Sequence, residues 1–221
     1  MMKRFSKLLL YVVSFMLIIS FFTCRDQRDK GKLPILGRKD IKEKVINGSI
    51  TYDTIFHTIA DFSFVNQDSS IVTNETFNNK IYVADFFFTT CPTICPIMKT
   101  QMLRVYIDFK DNDQVMFLSH TIDPEYDTVA LLHEFANRLG VSSSRWHFVT
   151  GLKEDIYTIG QNSYMVTAME DESEPGGYLH SGAFILVDRA RRIRGLYDGT
   201  DEDQVDRLIN DIPKLLKEYD I

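Results

Sequence analysis

Cys91 and Cys95 lie four residues apart in the run Asp85-Phe86-Phe87-Phe88-Thr89-Thr90-Cys91-Pro92-Thr93-Ile94-Cys95-Pro96, where a strongly apolar segment hands over to a helix-like one. A thiol at a helix N-terminus faces unsatisfied backbone N–H groups and the positive end of the helix dipole, which favours its thiolate. Residues at i and i+4 share a helix face, so the spacing predicts that both sulfurs converge on one ion or on each other. Farther along, His180 in Gly177-Tyr178-Leu179-His180-Ser181 precedes a second strand-like run, 184–187, and is placed to bring an imidazole to the same sheet end. Two soft thiolates and an imidazole suit copper, as Cu(I) or as Cu(II) with a further oxygen ligand. Zinc is the runner-up metal, but three protein ligands without a fourth do not resemble a closed structural zinc site.

The elements around these residues follow from periodicity. Residues 81–88 form a continuous β-prone apolar run, the pattern of a strand buried on both faces. Pro92 suits the first turn of the helix after it, with Ile97, Met98, Met102, Val105 and Tyr106 as its apolar stripe. A strand over 115–119, a helix over 128–139 stopped by Gly140, a short strand at 146–149 and a helix over 152–161 come next. Residues 184–187 and 193–197 read as a hairpin across a charged turn, and Thr200 is the expected cap of a last amphipathic helix. A further short hairpin is expected from 62–67 and 70–72. Alternating strands and helices of this order predict an α/β protein with a thioredoxin-like fold, a central mixed sheet flanked by helices and an extra N-terminal hairpin.

The chain resembles the SCO/SenC family of thioredoxin-like, copper-binding assembly proteins from about Asp61 to its C-terminus. Four blocks in order carry the resemblance: 88–96 with both cysteines, 118–128 (Leu118-Ser119-His120-Thr121-Ile122-Asp123-Pro124-Glu125-Tyr126-Asp127-Thr128), 146–151 and 180–188. The resemblance implies that Cys91, Cys95 and His180 are the copper ligands. It also implies delivery of copper to, or reduction of the cysteines of, the copper centre of cytochrome c oxidase, with the copper-accepting oxidase subunit as partner. Thr93 stands where the family often has Asp, and Tyr126 where it often has Arg, so tuning of the site or partner docking departs from the family at those positions.

Lys3, Arg4 and Lys7 lead into an apolar run over 8–22, followed at once by Cys24. This is an export signal, and a cysteine in that place is where bacterial lipoproteins are cleaved and lipidated. The run falls short of the roughly twenty residues of a relaxed membrane span. The expected organisation is residues 1–23 as signal peptide or N-terminal membrane anchor, 24–49 as a basic, mostly extended tether, and 50–221 as the thioredoxin-like domain. The domain is then held at the cell membrane on its periplasmic or extracytoplasmic side. Residues 25–49 carry a net charge of +4 and 50–221 a net of −13. An acidic domain argues against a nucleic-acid partner, while the basic tether suits anionic lipid head groups. With only three cysteines the chain is not a disulfide-stapled scaffold.

The rival reading is a thiol–disulfide oxidoreductase, or a redox or copper sensor, with Cys91 attacking and Cys95 resolving. Against it stand the cysteine spacing, wider than the usual three, and the absence of a proline just ahead of the strand facing the cysteines, where Leu179-His180-Ser181 is found. A disulfide between positions i and i+4 of a regular helix is also expected to be strained and labile. His57, His120, His133 and His147 are read as structural or surface residues, Trp146 as core, and Asp123 to Asp127 as a turn whose carboxylates orient a ligand or cap the next helix.

Overall fold

The computed structural model describes residues 31–46, 48–171, 173 and 176–219, with the His180 side chain also outside the description. The expected signal or anchor over 1–23 and Cys24 lie outside the described residues. Among the described residues no helix is long and apolar enough to cross a membrane.

Strand β5 (Ile81–Phe87) is buried at all seven positions, as its unbroken apolar run requires. It pairs in parallel with β6 (Val115–Thr121), which pairs in parallel with β7 (Trp146–Thr150). Helix α1 (Ile94–Phe109) connects β5 to β6, and α2 (Val129–Leu139) connects β6 to β7. Parallel neighbours need such crossovers, and right-handed ones put both helices on one face. Lys99 of α1 and Phe135 of α2 accordingly meet the same sheet face, over Phe87 and Phe148. Helix α3 (Lys153–Asn162) covers the other face, where Gly160 fits against the Phe86 ring.

The sheet is completed by antiparallel strands on both sides. Strands β3 (Ser63–Asn66) and β4 (Ile71–Thr73) form the expected short hairpin beside β7. Strands β10 (Ala183–Val187) and β11 (Ile193–Asp198) form the expected hairpin beside β5. The seven-stranded order is β11-β10-β5-β6-β7-β3-β4, a mixed sheet with helices on both faces. A closing helix, α4 (Glu202–Lys217), packs beside α1, and Arg104 bonds Asp206 at 2.6 Å across the pair.

Three local expectations are corrected. Thr200 does not cap α4: its hydroxyl donates to Asp198 at 2.6 Å, and Asp201 accepts from the N–H groups of Asp203 and Gln204 instead. Pro92 precedes α1, and it is Pro96 that lies in the first turn, where a missing N–H costs no intrahelical bond. The stretch read as tether up to residue 49 contains strand β1 (Lys39–Ile46), which forms an antiparallel hairpin with β2 (Ser49–Phe56). Thr128 and Gly140 do bound α2 as expected, Gly140 with a left-handed φ of 67°.

Candidate metal centre

The cysteines meet, but not by sharing a helix face. Cys91 sits in the loop after β5, its N–H donating to the Phe88 carbonyl at 3.3 Å, and Cys95 is the second residue of α1. Thr93 is the N-cap of α1 yet makes no capping bond with its side chain. The Cys91 sulfur takes that role: the N–H groups of Thr93 and Cys95 bond to it, and the Thr93 hydroxyl lies 3.6 Å away. The sequence therefore placed the cysteines at the right seam, while the i, i+4 geometry is replaced by a loop folded over a helix N-terminus. The argument for a strained helical disulfide loses its premise with that geometry. Neither cysteine is in a disulfide, and both are buried.

The two thiols are unequal. Burial raises the pKa of Cys91, but the Thr93 and Cys95 N–H groups, the Thr93 hydroxyl and the Cys95 thiol outweigh it and bring it below the ordinary cysteine value. Burial dominates at Cys95 and pushes it far up, helped by the neighbouring Cys91 sulfur and opposed by the Phe88 backbone and Lys99. The opposite shifts mean that the first proton leaves from Cys91, whose sulfur then accepts a hydrogen bond from the Cys95 thiol. Thr93 tunes this site directly, at one of the two positions where the chain departs from the family pattern. The other, Tyr126, is solvent-exposed.

Beneath the sulfurs lies a cavity of about 310 Å³ lined by Phe88, Thr89, Cys91, Cys95, Lys99 and Phe135 among others. Lys99, one turn beyond Cys95, is almost fully buried and donates to Asp85 at 2.6 Å and to Ser119 at 3.2 Å. Ser119 in turn donates to Asp85 and accepts from the Trp146 indole at 2.9 Å, and the Lys99 ammonium stands 4.0 Å from the Phe87 ring centroid. A buried charge pair holds in low dielectric only with its remaining donors and acceptors met, and this network meets them. Sequence reasoning missed it, although an aspartate inside seven consecutive buried strand residues was a signal that a cation must come from elsewhere.

His180 closes strand β9 (Tyr178–His180), which pairs with β8 (Ala168–Glu170) so that His180 stands opposite Ala168. The segment around it is held against the cysteine loop on both sides. The Tyr178 ring lies 5.1 Å from that of Phe88, and a Cβ on Gly176, whose φ is +92°, would come within 3.0 Å of Phe88 and 3.2 Å of Pro92. On the other side Gly182 faces Ile94 of α1. The Tyr178 phenol also bonds Asp123, whose main-chain carbonyl closes the turn by accepting from Asp127 at 2.8 Å. Asp123 thus closes the turn and holds Tyr178. Asp127 is buried, accepting from the Thr89 N–H at 3.1 Å and from the hydroxyls of Thr89 and Thr121, and so ties the cysteine loop to the end of β6. The sequence singles out Asp127 as an orienting or capping carboxylate, but not as the tie to Thr89, and Tyr178 has no signal there.

Among the described residues no group of three His, Cys, Asp or Glu side chains is arranged to hold a metal. The two sulfurs are soft and adjacent, and the residues flanking His180 meet Phe88, Pro92 and Ile94 around them. The other histidines are elsewhere. His57 bonds the Ser163 carbonyl at 2.7 Å, His133 pairs with Asp68 on the surface, and His147 bonds Asn66 at 3.1 Å. His120 is wholly buried among Phe62, Phe64, Phe86 and Tyr164.

Comparison with known proteins matches this architecture. The sequence pattern of the SCO1/SenC family fits residues 52–217. A SCO1/SenC family lipoprotein from Bacillus anthracis superposes with a TM-score of 0.66 at 28% identity, over 72% of this chain and 95% of its own. BsSco, described as a member of the Sco family of cytochrome c oxidase assembly proteins and as having a disulfide switch, gives 0.64 at 30% identity over 72% and 93%. Arabidopsis thaliana ScoI, solved with copper bound, gives 0.60 at 28% over 72% and 98%. With more than half of its length matched by the family pattern and its fold shared with these proteins, the chain belongs to the SCO1/SenC family.

Proposed function

We propose that this protein is a membrane-tethered copper chaperone that uses Cys91, Cys95 and His180 as ligands and supplies copper to the dinuclear copper centre of cytochrome c oxidase. The observation that carries the reading is the meeting of two unbridged cysteines at a helix N-terminus, beside the strand that ends in His180. A sulfur that already accepts several N–H and O–H bonds is a soft donor whose loss of a proton is favoured. Cu(I) fits two such sulfurs and an imidazole. Release proceeds by ligand exchange, an incoming cysteine or histidine of the acceptor replacing the three residues in turn. The apolar run over 8–22 and Cys24 hold the domain at the extracytoplasmic face of the membrane.

The unequal thiols favour a second reading alongside the first, reduction of the acceptor's own cysteines. The Cys91 thiolate attacks one sulfur of an acceptor disulfide, and the other sulfur leaves as a thiolate. Cys95, on losing its proton, then attacks the Cys91 sulfur and expels the second acceptor thiolate. Two electrons pass to the acceptor and a Cys91–Cys95 disulfide remains.

The test is anaerobic titration of the reduced full chain with Cu(I), in wild type and in His180→Ala and Cys91→Ala. One equivalent retained against a competing chelator, with retention falling at least tenfold in each variant at unchanged circular dichroism, is expected. Equal retention in all three would remove these residues from the site. Failure of wild type to retain copper, together with rapid reduction of a disulfide substrate, would leave the reductant reading alone.

A further inference from the structure

Among the described residues no further strand pairs with the hairpin of β1 and β2. All eight residues of β1 and the first seven of β2 are solvent-exposed, an arrangement that two strands alone sustain poorly in water. Its register sorts the side chains sharply. Ile41 faces Thr54, Glu43 faces Tyr52, and Val45 faces Ile50, so one face of the ribbon carries Glu43 and Thr54 among four large apolar residues, Ile41, Val45, Ile50 and Tyr52. These four are 73%, 69%, 61% and 65% exposed. The opposite face carries Asp40, Lys42, Lys44, Thr51 and Asp53, with Ile46 and Ile55. An amphipathic ribbon with an apolar tip is a structure built to enter an apolar phase on one side and remain wet on the other.

The ribbon also stands at the far end of the sheet from the cysteines. Its base is tied by the His57 N–H to the Arg38 carbonyl, by the His57 ring to Ser163, and through Ile59 to the Arg191 carbonyl in the β10–β11 turn. Val187, just before that turn, pairs with Tyr82 at the start of β5, whereas Cys91 follows the end of β5. Seven strand residues, about 23 Å, separate the two poles. A partner bound to the ribbon is therefore not the one that meets the cysteines.

We infer that the β1–β2 ribbon is a membrane foot, whose apolar face enters the interfacial region of an anionic phospholipid bilayer and holds the cysteine pole away from it. The inference rests on the membrane tether proposed above. The ribbon is neutral overall, with three lysines against three acids, so as a whole it is not repelled by anionic head groups, and Glu43 limits how deeply its apolar face enters. Residues 25–38 before it carry a net +3, which complements anionic head groups, while the net −13 of residues 50–221 opposes their approach. Only 16 residues part the apolar run from Lys39, and at full extension they span at most about 55 Å. Tyr52 supplies the amphipathic ring that favours the bilayer interface.

The test uses the full chain in vesicles of phosphatidylcholine and phosphatidylglycerol, with tryptophan at Ile50→Trp or, as a cysteine-pole control, at the exposed Leu152→Trp. Trp146 is buried and gives the same background in both. Brominated lipid is expected to quench the Ile50→Trp signal roughly threefold more than the Leu152→Trp signal, and Ile41→Ser/Val45→Ser in the Ile50→Trp background is expected to halve that quenching while the protein still floats with the vesicles. Flotation with equal quenching at both probes overturns the foot and leaves the tether standing. So does a blue shift at Ile50→Trp that grows with protein density and ignores brominated lipid, which would mean that a second copy covers the ribbon. A chain that does not float overturns the tether and the foot with it.

Discussion

The two faces of the central strands bury Lys99 on one side and His120 on the other, and they treat the two in opposite ways. On the α1 face the Lys99 amine is met from several sides by Asp85, Ser119 and the surrounding rings. On the α3 face His120 stacks on Phe86 at 4.7 Å, and neither ring nitrogen has a hydrogen-bond partner of ordinary geometry. Burial pushes its pKa down to about 4, against a weaker upward pull from the Asp85 main chain and carboxylate. One face thus holds a buried Lys99–Asp85 salt bridge a helical turn from Cys95, and the other holds a neutral imidazole. The difference teaches where the electrostatics at the cysteines come from: Cys95 senses Lys99, and the His120 face serves as an apolar wall.

The comparison breaks most visibly at Lys99. Lys99→Met leaves Asp85 buried without its cation and is expected to cost about 3–5 kcal/mol in urea unfolding, whereas Lys99→Met/Asp85→Leu recovers most of that loss. If the double variant is as unstable as the single one, the pair matters as packing and not as charge. On the other face the effect depends on pH. His120 binds a proton more readily unfolded, near 6.5, than folded, near 4, so its neutral burial costs nothing above pH 6.5, and stability falls as pH drops from about 6.5 to 4. The loss reaches on the order of 3 kcal/mol. His147, also lowered to about 4 by burial, contributes in the same direction and window. His120→Phe should flatten the His120 part of this slope in unfolding series at several pH values, and an unchanged slope would place the acid sensitivity elsewhere.

Smaller effects sharpen the contrast at the sulfurs. Cys91 is expected to alkylate roughly tenfold faster than Cys95 at pH 7, given their opposite shifts. His120→Phe should leave both rates unchanged, while Lys99→Met, where it folds, should slow Cys95 further. Equal effects from the two faces, read by mass spectrometry of the alkylated chain, would erase the distinction. The smallest change is expected at Tyr178→Phe, which removes one bond to Asp123 and should cost about 1 kcal/mol, visible as faster hydrogen exchange in residues 178–180.

Much of this was legible in the chain. Unbroken burial of residues 81–87, the helix stop at Gly140, and the hairpins at 63–73 and 183–198 followed from periodicity and turn chemistry, because each is fixed by local pattern. The position of Cys91 and Cys95 at a strand–helix seam was equally local. What escaped depended on contacts distant in sequence: Lys99 with Asp85, Tyr178 with Asp123, and Asp127 with Thr89. The β1–β2 ribbon escaped for a different reason. A basic, glycine-punctuated stretch over 24–49 read as linker, and its alternation of Ile41, Glu43 and Val45 with lysines gains meaning only once the paired strand at 49–56 is seen.

The central claim is that Cys91, Cys95 and His180 together hold copper. X-ray absorption at the copper edge of the Cu(I)-loaded full chain tests it most directly, in wild type beside His180→Ala. The account predicts two sulfur scatterers and one imidazole nitrogen in wild type, with the imidazole signal lost and both sulfurs kept in the variant. An imidazole signal that survives His180→Ala, or a site with a single sulfur, would contradict it.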